Sequence, residues 1–441
     1  MAAADPASLL SRADQRFLLH DWLGLEELTE RPRFAGQSGA DYEEVLALAE
    51  RMAAELFAPH NRAADLEEPR LEDGRVVLTA GVAEALRAHA EAGLLGTGVA
   101  AAAGGMQLPL TVANAAAAWF QAANAATAGY ALLTTAAANL LAANAAPEQV
   151  ERWVPPLVEG RFFGTMCLSE PVAGSSLADI ATRAEPEPGD AGTYRLTGTK
   201  MWISAGEHEL AENIVHMVLA KVPGAGAGVR GIGLFIVPRF LLDEEGGPGE
   251  RNDVALAGLN HKMGFRGTVN TVLSFGEGAQ RPGGRPGAVG YLVGEPGRGL
   301  AYMFRMMNEA RIGVGLVAAA LGSTAYLKSL RYARERPQGR AREERDPSSP
   351  QVPIVRHADV RRMLLAQKAY VEGAMALVLY CSRLHDDAES LADAADRHRA
   401  GLLLEILTPI AKSWPSQWCL EANSLAIQVH GGYGYAREYD V

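Results

Sequence analysis

Between residues 161 and 275 the chain passes through five short runs rich in β-branched and aromatic residues: 162–168, 194–204, 213–222, 231–237 and 268–275. Gly- and Pro-containing turns separate them, and no helix-length stretch lies between. Strands joined without crossover helices predict an antiparallel barrel or sandwich for the middle of the chain. The Gly-rich pieces 239–251 and 276–286 are expected to be solvated loops.

Both flanks carry the helical period instead. Val45, Leu46, Leu48, Ala49 and Met52 share a face over 41–57, a helix over 79–92 is closed by Gly93, and an alanine-rich stretch covers 110–145. The period returns after Leu300 with Met303, Met306, Met307, Ile312 and Leu316, and again with Met363, Leu364 and Val371. It returns a last time over 397–429, where Pro409 and Pro415 are expected to kink or interrupt the helix. The predicted fold is α+β: an N-terminal amphipathic extension (1–40) with a helix over 14–28, an N-terminal helical domain (41–160), a β-domain (161–287) and a C-terminal helical bundle (288–441).

A chain of 441 residues with 48% hydrophobic content can bury cores of this size. The net charge of −11, with no block of five like charges, speaks against a nucleic-acid partner. Cys167, Cys381 and Cys419 are far apart and odd in number, which predicts free thiols in a reducing compartment and neither a disulfide framework nor a metal site. No signal-peptide pattern and no run of eighteen apolar residues is seen, so no membrane span and a cytoplasmic location are expected. Gly226, Gly228 and Gly231 are spaced as G-x-G-x-x-G. Strands flank them and no helix follows, so they read as a turn and not as a dinucleotide site.

The chemistry concentrates between Met166 and Gly206. MCLSEPVAGSSLADI ends a strand in a loop of Ser169, Glu170, Pro171, Gly174 and two serines, whose hydroxyls and backbone N–H groups suit an oxygen-rich ligand. YRLTGTKMWISAG alternates Tyr194 and Leu196 against Arg195 and Thr197, then sets Trp202 near Ser204, which suits a flat aromatic cofactor. Taken singly, Ser169 and Ser175 are turn serines and Trp202 is a buried strand residue.

Together these segments resemble the flavin-binding signatures of the acyl-CoA dehydrogenase superfamily. The resemblance continues in order through HKMGFRGTVNTVLSF, LVGEPGRGLAYMFRMMNEARIGVG, YARERPQGR and AIQVHGGYGYAREYDV, covering about residues 45–441. ISAGEHELAENIVHMVLAKV and DQRFLLHDWLGLEEL most resemble the methylmercaptopropionyl-CoA dehydrogenase-like subgroup.

The resemblance implies FAD as cofactor, with Met166, Leu168 and Ser169 lining the isoalloxazine and Trp202, Ile203 and Ser204 covering its face and polar edge. It places Arg336 and Gln338 at the FAD diphosphate across a dimer interface, although the usual R-x-Q-F-G reads Arg-Pro-Gln-Gly here. Read without it, the two belong to a solvated linker. Gln428, Gly431 and Gly432 match a cofactor-side turn, the other reading being a helix C-terminal glycine pair. Ser175, Asn308 and Arg311 would contact the CoA portion. The implied reaction is α,β-dehydrogenation of an acyl-CoA: a carboxylate takes the α-proton and a hydride leaves the β-carbon for flavin N5. An electron-transfer flavoprotein or similar acceptor and a homodimer or tetramer are implied as partners.

The base itself is expected in an E-G-T turn beyond Val441, so the bundle reads as cut short. The family's other placement falls on Ala310, one residue and about 100° of helix from Glu309, the candidate inside the chain. The alternative is a non-catalytic or truncated flavoprotein homologue that binds acyl-CoA, or a DNA-associated one, which the net charge opposes.

Overall fold

The computed structural model describes residues 3–440. Its helices are α1 (Arg12–Arg16), α2 (Gly39–Met52), α3 (Asn61–Leu66), α4 (Val82–Glu91), α5 (Leu110–Asn144), α6 (Pro147–Val158), α7 (Gly299–Glu335), α8 (Ala358–Ser390) and α9 (Ala394–His430). Its strands are β1 (Arg70–Glu72), β2 (Arg75–Val77), β3 (Phe162–Cys167), β4 (Arg183–Pro186), β5 (Thr193–Ser204), β6 (Asn213–Lys221), β7 (Ile232–Pro238), β8 (Phe240–Leu242), β9 (Pro248–Arg251), β10 (Val254–Leu259), β11 (Asn270–Phe275) and β12 (Ala288–Val293). The chain divides into two compact units: a helical unit of Met1–Pro59, Pro109–Ala125 and Arg311–Val441, and a barrel unit of His60–Leu108 and Ala126–Ala310.

In the barrel unit the strands run β10-β11-β5-β12-β7-β6-β3. β4 pairs antiparallel with β5 and meets β6 through the single parallel bridge Arg183↔Lys221, which closes the sheet on itself. The barrel is thus mixed, because β3 also runs parallel to β6. β6 shows why this sequence builds a wall. Val215, Met217 and Leu219 point to a core with Leu140, Leu141, Trp153 and Leu157 of α5 and α6, while Val218 and Ala220 point into the barrel with Leu196, Phe235 and Phe275. A strand covered on both faces reads as an unbroken apolar run. Gly226–Gly231 lies between β6 and β7, with a short 3₁₀ turn (Gly228–Gly231) leading straight into a strand, as a turn and not a nucleotide loop requires. Residues 239–251 are not wholly loop, since β8 and β9 form a small antiparallel pair there.

The helical unit corrects two expectations. The apolar stripe over 14–28 is not one helix: α1 passes into a π-helical turn (Phe17–Trp22), the chain breaks at Gly24 (φ +58°), and a 3₁₀ stretch (Leu25–Glu30) follows. Leu19, Leu25 and Leu28 are buried, and Arg383 of α8 holds the break by donating to the carbonyls of Leu23 and Gly24 and to Glu27. Secondly, Pro409 and Pro415 do not interrupt α9, which runs through both. Pro415 has no N–H to give Ala411, and α7 passes close to that freed carbonyl: a Cβ on Gly315 would stand 2.0 Å from Ala411 O.

The cysteines are all free and buried. α5 and α7 do reach the length and apolarity of a membrane span, against expectation, but 61% and 56% of their most apolar windows is buried inside the protein, as in the core helices of a globular fold.

Candidate active site

Of the residues singled out in the sequence, Met166, Leu168, Ser169, Ser175, Trp202, Ile203, Ser204, Asn308 and Glu309 belong to the barrel unit. Arg311, Arg336, Gln338, Gln428, Gly431 and Gly432 belong to the helical unit.

In the barrel unit the two motif segments are laced together. Met201 N donates to Ser169 O (2.9 Å) and Lys200 Nζ to Leu168 O (3.0 Å), so the loop leaving β3 lies along β5. Opposite β11, β5 carries one residue too many: Lys200 pairs with Leu273 and Ile203 with Thr271, leaving both Met201 and Trp202 facing Val272. Such a bulge turns a side chain out of the sheet's alternation. Trp202 has φ +64° and is 56% exposed, so it is not a buried strand tryptophan. A left-handed backbone costs a residue with a Cβ about 1–2 kcal/mol and persists where the surroundings dictate it.

The neighbours supply hydrogen-bonding groups and walls. Ser204 Oγ accepts from Asn270 Nδ2 (3.1 Å), whose Oδ1 in turn accepts from Asn260 Nδ2 (2.9 Å). Ser175 is exposed and Met166 half-buried, whereas the side chains of Leu168 and Ile203 sink into the cores and leave only their backbone for a ligand. On α7, Asn308 and Glu309 are half-buried, and Glu309 Oε2 accepts from Asn139 Nδ2 (3.0 Å).

Two buried ionic groups flank the bulge. Lys200, fully buried, donates to Glu170 Oε1 (2.8 Å), and Glu170 also accepts from Ala181 N (2.6 Å), Thr182 N (3.1 Å) and Thr182 Oγ1 (2.6 Å). Burial alone would push the Glu170 carboxyl up, but the Lys200 ammonium and these donors outweigh it and hold the carboxyl below its ordinary range. Burial draws the Lys200 ammonium downward, with Glu170 opposing. Beyond Trp202, Glu207 accepts from Arg239 Nη1 (2.5 Å) and Arg251 Nη2 (2.9 Å), and Arg239 also caps His208 O (2.7 Å). The turn that follows Ser204 is thereby fixed.

Lys200 and Glu207 were not singled out from the sequence. A signal existed: Tyr194, Leu196 and Lys200 share strand parity, so a lysine falls where only an inward side chain can go and must have a partner there.

In the helical unit the Arg336 guanidinium lies over the Tyr433 ring, 5.5 Å from its centroid, so the linker and the C-terminal glycine turn come together. Ile354 N donates to Arg336 O (2.9 Å), Gln338 N to Val352 O (2.9 Å) and His357 Nε2 to Gln338 O (2.6 Å). Gln428 is exposed at the end of α9. Gly431 (φ +60°) stops that helix, its N–H donating to Gln428 O, and both Gly431 and Gly432 face open space. Arg311 is half-buried on α7, three residues past Asn308 and so on the same helix face.

The acyl-CoA dehydrogenase N-terminal domain model matches residues 39–161 and the C-terminal domain model residues 297–441. The chain is 34% identical over 436 residues to a broad-specificity linear acyl-CoA dehydrogenase of Mycobacterium tuberculosis, covering 97% of this chain and 69% of that protein. It is 39% identical over 391 residues to 3-methylmercaptopropionyl-CoA dehydrogenase of Ruegeria pomeroyi, covering 89% of this chain and 64% of that protein. The chain therefore spans somewhat under two thirds of the length of that relative. The solved butyryl-CoA dehydrogenase of Megasphaera elsdenii superposes with a TM-score of 0.70 at 22% identity over 90% of each chain, and shares the fold. The chain belongs to the acyl-CoA dehydrogenase family.

Proposed function

We propose that this chain carries out FAD-dependent α,β-dehydrogenation of an acyl-CoA thioester. The observation that carries the reading is Trp202, an exposed indole on a strained bulge beside the serine loop to which β5 is laced. An apolar face with hydroxyls at its margin fits a flat, oxygen-edged ring. When bound, FAD supplies the acceptor for the substrate's β-hydride.

The chain's own residues bind and orient. Trp202 would cover one ring face and keep water from it, Ser169 and Ser204 would serve the polar edge, Met166 would line the pocket, and the backbone of Leu168 and Ile203 would complete it. By the family resemblance, Arg336 and Gln338 would serve the FAD diphosphate of a partner subunit across a dimer interface, Gln428, Gly431 and Gly432 would form a cofactor-side turn, and Ser175, Asn308 and Arg311 would contact the CoA. The α-proton goes to a carboxylate once hydrogen bonds polarise the thioester carbonyl, and Glu309 is the candidate within the chain. The acceptor for the reduced cofactor's electrons would be an electron-transfer flavoprotein or similar protein, and the protein would work as a cytoplasmic homodimer or tetramer.

The test is an anaerobic titration of the FAD-loaded protein with short, branched, aromatic and sulfur-containing acyl-CoAs. At least one should bleach the visible flavin band. A protein that stays colourless when offered FAD sinks the reading. Glu309→Gln decides the base: lost bleaching with retained acyl-CoA binding keeps Glu309 in that role, and unchanged bleaching removes it.

A further inference from the structure

Glu170 does more than pair with a lysine. Its backbone exchanges hydrogen bonds with Ala173 (2.9 and 3.1 Å), and its carboxylate reaches across to Ala181 and Thr182, where β4 begins. The serine loop 171–180, whose Ala173 and Ile180 are buried in the core while its serines are exposed, is thus tied at its base by the Glu170 side chain. Lys200 joins that base to β5 through Glu170 Oε1 and Leu168 O, two residues before the left-handed Trp202.

A buried ion pair contributes little to stability compared with apolar side chains of the same size, since desolvation offsets most of the attraction. Its directional bonds do set register. We propose that the Lys200–Glu170 pair is a positioning element of the cofactor site: it locks the serine loop to the Trp202 bulge, so that Ser169, Ser175 and Trp202 are held in place before any ligand arrives. This rests on the FAD reading above.

The chemistry supplies its own control. Lys200→Met or Glu170→Gln alone strands one buried charge and should lower the melting temperature, whereas Lys200→Met with Glu170→Gln strands none and should recover much of that loss. A merely structural pair would then let FAD bind as before. A positioning pair leaves the double variant folded but loose, with FAD affinity down about tenfold or more, as is usual when the shell behind a site is removed, and with an altered visible circular dichroism band. Thr182→Val keeps size and charge while deleting one Glu170 anchor. It should weaken FAD binding by a few-fold, and it answers the question if the double variant does not fold.

Parent affinity and an unchanged flavin spectrum in the double variant, or in Thr182→Val where the double variant is unfolded, overturn the proposal and leave the FAD reading standing. A parent protein that takes up no FAD overturns both.

Discussion

At Trp202 two demands on one residue conflict. A large aromatic side chain favours an extended backbone, yet here φ is +64° and the ring is 56% exposed, so neither local preference nor burial explains the choice. Trp202→Gly separates the two. Glycine adopts this conformation without strain, which offsets what packing the indole contributed, so the unfolding free energy measured in urea should stay within about 1 kcal/mol of the parent. FAD affinity, followed by flavin fluorescence quenching, should fall by about tenfold, the upper end of what a ring–ring contact supplies. A large loss of stability with unchanged affinity would make the indole a structural residue.

At the scale of elements, strands and helices with strong periodicity were legible and those shaped by distant partners were not. β6 is unmistakable because both its faces are covered, and β5 because Tyr194 and Leu196 alternate with Arg195 and Thr197. β4, β10 and β12 carry four to six residues with alanine, glycine or proline among them, and they become strands through their pairing: β4 and β12 with the longer β5, and β10 with β11. The break at Gly24 depends on Arg383, more than 350 residues on, and no local pattern announces it. The same holds for the close approach of Gly315 of α7 to the Ala411 carbonyl of α9. The motif order located the serine loop and Trp202, while the pair beneath them needed strand parity. Gly315→Ala tests the α7–α9 contact: a methyl 2.0 Å from Ala411 O must push two long helices apart. A loss of about 1–3 kcal/mol in chemical denaturation is expected. Pro415→Ala on top should recover little of it, because the clash is with the carbonyl and not with the ring.

For the molecule as a whole, acid is the condition that sets its parts against one another. Burial pushes His89 down to about 4, and burial followed by the charge of Arg239 takes His208 to about 3, with the same order of burial then Arg251 and Arg239 for His216. All three are in the barrel unit and stay neutral when folded, against an ordinary value of about 6.5 when unfolded. Between those values the unfolded chain binds more protons, so stability is complete above about pH 6.5 and declines as the pH falls toward 4, by up to about 4 kcal/mol per unit for three sites acting together. His20 in the helical unit runs the other way. Burial lowers it, but Glu26 and Glu43 raise it further, so its contribution is present in acid and fades as the pH rises through its folded value. His208 and His216 each leave Nε2 without a partner among the described residues, so glutamine at either position abandons no bond to that atom. The double variant His208→Gln with His216→Gln should therefore flatten the fall in stability between pH 6 and 4.5 by about two protons' worth in urea titrations at fixed pH. If its slope matches the parent's, those two imidazoles already take up protons in the folded barrel, and buried carboxylates such as Glu170 must carry the acid sensitivity instead.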